Sequence, residues 1–385
     1  MPSITKKKSV AGALHREVGF LDLFAILAPD WPLYQQAFER VTRNTAFIRG
    51  AECQRFEEAF AEWALPGSQV LGCANGTDAL RLAIRALGLK AGDEAIVPAM
   101  TFFATVEPLV ELGLVPRLVD VEEGTWLMDL KQLERAVGPK TKLIVPVHLY
   151  GQSPQMDRIR EVADGHNCFV LEDAAQAQGA LWKGKPVGYW GDVATFSFFP
   201  GKNLGAFGDA GALLSKNADI VARARALSNH GGAQKYQHDE FGYNSRLDNL
   251  QAAFLNIKLN RIDEWNAKRR QVALWYSQYL ADIPYLSLPV ENINAESVYH
   301  LYVVLVEDRP RFQEFLAKRG VQTGVHYPKA IHQQPAVLRY FGDLGNFPNA
   351  EKVAAHGVSL PMGPTLSEED VFYVSEVIRE YYEAK

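Results

Sequence analysis

The residues whose types and settings could do chemistry are Lys202, Asp173 and the turn Asn75-Gly76-Thr77. Lys202 lies in Thr195-Phe-Ser-Phe-Phe-Pro-Gly-Lys-Asn-Leu-Gly-Ala-Phe-Gly-Asp-Ala-Gly211, where a strand-like apolar run breaks at Pro200-Gly201 and leaves one lysine among small residues. With little room to reach water, its ammonium form is disfavoured, its pKa falls, and the neutral amine can condense with an aldehyde. A surface lysine in a glycine-rich turn would give the same pattern. Asp173 ends the apolar run Cys168-Phe-Val-Leu-Glu-Asp173. In doubly wound sheets ligands sit at the carboxyl ends of strands, and a carboxylate there can keep a pyridinium nitrogen protonated, so that the ring absorbs electrons from a breaking bond. An aspartate that caps the next helix is the competing reading.

The third feature is Val70-Leu-Gly-Cys-Ala-Asn-Gly-Thr-Asp-Ala-Leu80, a short strand running into a helix marked by Leu80, Ile84 and Leu87. Free N–H groups at such a helix start, a close-approach glycine (Gly76) and a hydroxyl (Thr77) together can hold a phosphate, although an ordinary N-cap looks alike. In Thr101-Phe102-Phe103-Ala104-Thr105 one phenylalanine could stack on a flat ring, while a Phe-Phe pair is more often core. His300, His326 and His332 lack carboxylate or thiol company at ligand spacing, so no metal site is expected.

These groups need a scaffold, and from about residue 50 the chain alternates helical and strand patterns as an α/β domain on a mostly parallel sheet would. Helical spacing marks Leu33 to Val41, Arg55 to Trp63 and Asp129 to Val137; strand patterns mark Glu94 to Pro98, Val115 to Asp120 and Lys142 to Tyr150. A long helical stretch is expected from Leu247 to Leu280, followed by a link at Ile283 to Pro289. Beyond it, Tyr299 to Val306 reads as a strand and Arg311 to Arg319 as a helix ending at Gly320.

Composition bounds the function. A chain of 385 residues, 48% hydrophobic and 22% charged, is long enough for a large domain and a smaller one. Its net charge of −5 offers no footprint for nucleic acid. Cys53, Cys73 and Cys168 are scattered and odd in number, which fits a reducing cytoplasm and thiols that pack as small apolar groups. Lys6-Lys7-Lys8 followed by Val18 to Ala28 looks like the basic and apolar parts of a signal peptide, but Glu17 and Asp22 interrupt the run. The expectation is a loose arm leading into a helix, with no membrane span anywhere.

Asn75-Gly-Thr-Asp-Ala-Leu80, Thr101-Phe102, Glu172-Asp-Ala-Ala-Gln176, Ser197-Phe-Phe-Pro-Gly-Lys-Asn203 and Gly242-Tyr-Asn-Ser-Arg-Leu-Asp248 occur in the order found in the DegT/DnrJ/EryC1/StrS aminotransferases, and the chain resembles that family from about Phe20 onward. The resemblance implies a type I, aspartate-aminotransferase-like α/β fold with a mostly parallel sheet in the large domain and a smaller C-terminal α/β domain. The expected division is an N-terminal arm and helix over 1–48, a large domain over 49–262, and a linking helix with the small domain over 263–385. It implies pyridoxal phosphate (PLP) as cofactor, alternating with pyridoxamine phosphate. Lys202 then matches the family's Schiff-base lysine, Asp173 its pyridinium partner, Gln176 a cofactor contact and Phe102 the stacking aromatic. Gly76, Thr77 and Ser197 match its phosphate cradle, and Asn244 an asparagine reaching the phosphate from the second subunit of a homodimer. His326 and Tyr327 match a stretch bordering the sugar pocket.

Within the family, His148-Leu-Tyr-Gly-Gln152 and Leu259-Asn-Arg-Ile-Asp-Glu-Trp265 look most like the branch that acts at C3 of keto sugars. The implied reaction moves an amino group from L-glutamate to a dTDP- or UDP-linked 3-keto sugar. A 4-keto sugar enzyme and a non-catalytic PLP-binding regulator are the alternatives. Gln178 departs from the branch, whose members often carry histidine there.

Overall fold

The computed structural model describes residues 16–232, 234 and 236–384; the Lys6-Lys7-Lys8 run lies outside them. Seven strands form the central sheet: β1 (Gln69–Cys73), β2 (Glu94–Pro98), β3 (Val115–Val119), β4 (Thr141–Ile144), β5 (Phe169–Asp173), β6 (Val193–Ser197) and β7 (Gly211–Ser215). Their spatial order is β1-β7-β6-β5-β4-β2-β3. β3, β2, β4, β5 and β6 run parallel, and β7 is antiparallel to both its neighbours, β6 and β1. The expected α/β architecture on a mostly parallel sheet is therefore present.

The strands are short apolar runs because helices cover both faces and leave no side for solvent. One face packs Phe56, Phe60, Phe196, Phe198 and Trp265 into a cluster, with Phe60 meeting Phe196 and Phe198 edge-on at 5.1 and 5.3 Å. The other packs Leu71, Leu80, Leu82, Ile84, Val97 and Leu213. A separate two-stranded sheet, Tyr302–Leu305 against Gly357–Leu360, packs with helices Ile262–Leu280, Arg309–Ala317 and Glu368–Glu383 around Tyr276, Phe312 and Ile378. All three cysteines are free and buried. Among the described residues no helix is long and apolar enough to cross a membrane.

Three expectations change. The single helix expected over 247–280 is two, Asn249–Leu259 and Ile262–Leu280. The Asn260 amide donates back to the carbonyl of Asn256 (3.0 Å), offering the backbone a partner that ends the first helix. The strand expected over 142–150 stops at Ile144, because Pro146 lacks the N–H that would continue a ladder. The arm is not loose where it is described. Val18 bonds to Gly320 and Gln322 (2.8 and 3.0 Å), and the Met362 N–H donates to the Phe20 carbonyl at 3.2 Å.

Candidate active site

Residues far apart in sequence meet in a cavity of about 740 Å³ at the carboxyl ends of the parallel strands. Its floor is set by β5 and β6. Asp173 is the last residue of β5 and Ser197 the last of β6, so each side chain emerges where its ladder ends. After β6 the chain turns over 198–206, closed by Lys202 N–H to Phe199 O (2.8 Å) and Ala206 N–H to Phe198 O (2.7 Å). That turn holds Lys202, half-buried, in the cavity wall.

The Asp173 carboxylate is 5% exposed and accepts from the Thr105 hydroxyl (2.7 Å) and the Ala175 N–H (3.2 Å). Burial pushes its pKa up, against the pull of those two donors and of the charge on Lys202. Burial lowers the Lys202 amine from 10.5 to about 8, with the negative charge of Asp173 opposing the fall. Both charges are thus poorly solvated and face a cavity able to hold a ligand that would offset the cost.

At one end of the cavity helix Gly76–Ala86 begins. The Asn75 side chain accepts from Asp78 N–H at 2.8 Å, and its carbonyl takes Ala79 N–H, which leaves the N–H groups of Gly76 and Thr77 at the mouth. A Cβ on Gly76 would stand 2.8 Å from the Cβ of Ser197, so only glycine lets the helix start close on that hydroxyl. Two main-chain donors, two hydroxyls and a positive helix end suit a phosphate. A flat apolar wall comes from Phe102, 52% exposed, while Phe103 packs into the core; the structure thereby decides between the two phenylalanines. PLP needs an amine, a carboxylate, a ring wall and a phosphate cradle, and the cavity supplies all four.

Gln176 spans the opposite side. Its Oε1 accepts from Tyr150 N–H (2.6 Å) and its Nε2 donates to the Tyr327 hydroxyl (3.0 Å). Tyr327 lies 5.1 Å from the ring of Phe102, and His326 stacks on Phe20 at 5.8 Å. Burial, then the Lys202 charge, depresses His326 to about 4. Of the residues singled out in the sequence, Gly76, Thr77, Phe102, Asp173, Gln176, Ser197, Lys202, His326 and Tyr327 all line the cavity. Asn244 does not; it is exposed on the surface of its own chain. Gln178 is wholly buried behind the floor, donating to the Ser197 carbonyl at 2.7 Å.

Sequence reasoning gave no role to Thr105, Tyr150 or Phe20, and weighed His300 only as a metal ligand. Thr105 carried a usable signal, one helical turn beyond Thr101, whose hydroxyl it meets at 2.8 Å. His332 pairs with Glu351 at 3.0 Å, away from the cavity, and no metal-ligating cluster occurs among the described residues.

The DegT/DnrJ/EryC1/StrS aminotransferase family profile matches residues 32–379. Over 366 residues the chain is 40% identical to the dTDP-3-amino-3,4,6-trideoxy-alpha-D-glucose transaminase of Streptomyces venezuelae, spanning 95% of this chain and 96% of that protein. It is 38% identical over 363 residues to the UDP-N-acetyl-3-dehydro-alpha-D-glucosamine 3-aminotransferase of Acidithiobacillus ferrooxidans, spanning 94% and 97%. The crystal structure of S. venezuelae DesV in complex with ketimine intermediate resembles it with a TM-score of 0.93 at 40% identity, over 95% of this chain and 99% of that one. A match over nearly the whole length, the shared fold and a cavity fitted to PLP lead to one assignment: this chain belongs to the DegT/DnrJ/EryC1/StrS family of PLP-dependent aminotransferases.

Proposed function

We propose that this aminotransferase moves an amino group from L-glutamate to the ketone of a nucleotide-linked sugar, at C3 of a dTDP- or UDP-sugar, in amino-sugar biosynthesis. The sugar class follows the 3-amino and 3-dehydro sugars in the names of its relatives. The observation that carries the chemistry is the shared cavity of Lys202 and Asp173, an amine whose pKa burial lowers to about 8 and a desolvated carboxylate.

When bound, PLP supplies an aldehyde that condenses with amines and a ring that takes up electrons released at the neighbouring carbon. Lys202 tethers it and then carries the proton, taking it from the donor α-carbon and returning one at the sugar carbon. Asp173, oriented by Thr105 and the Ala175 N–H, keeps lone pairs free to hold a proton on the ring nitrogen. Gly76, Thr77 and Ser197 hold the phosphate, Phe102 covers one ring face, and Gln176 contacts the ring edge. His326 and Tyr327 border the sugar.

Asn244 reaches the phosphate of a second copy. Its exposure here, and that of Phe38, Phe47, Ile48 and Phe199, supports a homodimer with shared sites. We further infer that the arm and helix end near residue 48 and that the linking helix and small domain begin near 263, in a protein that works in the cytoplasm.

The holoprotein mixed with L-glutamate should lose the visible absorbance of its cofactor and gain the near-ultraviolet band of pyridoxamine phosphate. A panel of nucleotide-linked 3-keto and 4-keto sugars then tests the acceptor, and 3-keto sugars should restore the first band. Restoration by 4-keto sugars alone would overturn the position, and no response to any amino donor would leave only a regulatory binder.

The lowered amine pKa has its own signature. An amine condenses only when neutral, so the rate at which cofactor-free protein captures PLP should climb about tenfold per pH unit and level off near pH 8. An ordinary lysine would keep rising beyond pH 10. Stopped-flow absorbance across that range distinguishes the two.

A further inference from the structure

His300 has no part in the chemistry above, yet it lines the same cavity as Lys202. Its backbone is pinned from behind. The buried Arg269 donates from Nη1 to the carbonyls of Tyr299 (3.3 Å), His300 (3.2 Å) and Met362 (3.5 Å). Tyr299 takes a φ of +40°, which a bulky residue adopts only where its surroundings hold it there.

The imidazole is fixed as firmly, and its proton with it. Asn203 spends its amide nitrogen on Asn266 Oδ1 (2.9 Å) and the Val298 carbonyl (3.0 Å). Asn266 is oriented in turn by donating to the Gln178 carbonyl at 2.8 Å. Main-chain carbonyls only accept, so neither amide can be reversed without losing a bond. The Asn203 Oδ1 therefore faces His300 Nδ1, at 3.2 Å, and Nδ1 must carry the hydrogen. Burial first, then the positive charges of Lys202 and Arg269, hold the ring far below its usual pKa and keep it neutral. That leaves Nε2 as the acceptor of the ring.

We propose that His300 is a positioning residue whose Nε2 accepts a hydrogen bond from the Lys202 amine and keeps it aimed while it carries protons. The inference rests on the role given to Lys202 above. Asn203 directly follows Lys202, so the turn that carries a flexible four-carbon amine also sets the tautomer of its acceptor. A protonated imidazole would repel that amine, whereas a neutral one holds it in either charge state.

The tautomer is read first, by nitrogen-15 NMR on cofactor-free protein labelled at histidine, with His300→Gln identifying the signal. Hydrogen on Nδ1 and none on Nε2 is expected; hydrogen on Nε2 would overturn the proposal. The role is read on His300→Phe and His300→Gln. Because the acceptor favours the ammonium form, its loss in His300→Phe should lower the pH midpoint of PLP capture by about one unit. It should also cut kcat about tenfold to a hundredfold with KM for glutamate unchanged, and raise the isotope effect of α-deuterated glutamate.

The glutamine carbonyl stands near the place of Nε2 and should restore both quantities to within a few-fold of the parent. A residue that only packed would move neither the midpoint nor the isotope effect, and that result overturns the proposal alone. A parent protein that turns over no amino donor would instead overturn the aminotransferase chemistry, and this role with it. Should His300→Phe fail to fold, the tautomer and the glutamine variant still decide.

Discussion

Lys202→Ala is expected to lose transamination by on the order of 10,000-fold or more, because one substitution removes both a covalent tether and the group that moves the proton. The fold should survive. The turn around Lys202 is closed by main-chain bonds and does not need the amine. PLP should still bind, held by the donors at Gly76, Thr77 and Ser197 and by Asp173, so the defect belongs to chemistry and not to occupancy. Equilibrium dialysis against PLP checks binding, and single-turnover absorbance with glutamate checks chemistry. Lys202→Arg sharpens the result, since a guanidinium keeps the charge but cannot give up a proton near neutral pH. It should be as inert as alanine. Full activity in either variant would refute the assignment of Lys202.

Asp173→Asn should cost on the order of 1,000-fold in kcat, the size seen when a preorganised electrostatic partner of the reacting group is removed. The amide oxygen can still accept from Thr105, so the position stays filled and hydrogen-bonded, but nothing then holds a proton on the ring nitrogen. Glutamate turnover and the spectrum of the bound cofactor report the loss.

The same variant carries a stability prediction of opposite sign. Burial raises the Asp173 pKa in the folded chain, so the folded state prefers its neutral form. For a carboxyl shifted that way, the stabilising contribution is present below the unfolded pKa and lost as pH rises through the folded one. At neutral pH the ionised group therefore costs stability in the cofactor-free protein, and asparagine does not. Thermal unfolding of the cofactor-free variant at pH 7 should occur no lower than in the parent. A large drop together with intact kcat would make Asp173 a structural residue.

Much of this was legible because the signals are local. The apolar run ending at Asp173 is a strand because both its faces are covered, and the run before Pro200 is one as far as Ser197; a helix start near Thr77 was legible too, although its cap is Asn75, which reaches Asp78 three residues on. The same locality explains the misses. Asn260 also acts locally, but a side chain turned back on its own helix leaves hydrophobic periodicity intact, so the break between the two helices was invisible. The docked arm depends on partners some three hundred residues away.

The order of motifs along the chain determined the family and the α/β class and pointed to Lys202 and Asp173 as the candidate amine and carboxylate, since strand ends, turns and caps are written within a few residues of each other. Only the tertiary structure decided which phenylalanine faces the cavity, that Thr105 steadies Asp173, and that the Asn203 oxygen meets Nδ1 of His300. Each of those outcomes is set by burial and hydrogen bonds between segments distant in sequence. Such contacts exist only once the sheet has brought its strand ends together.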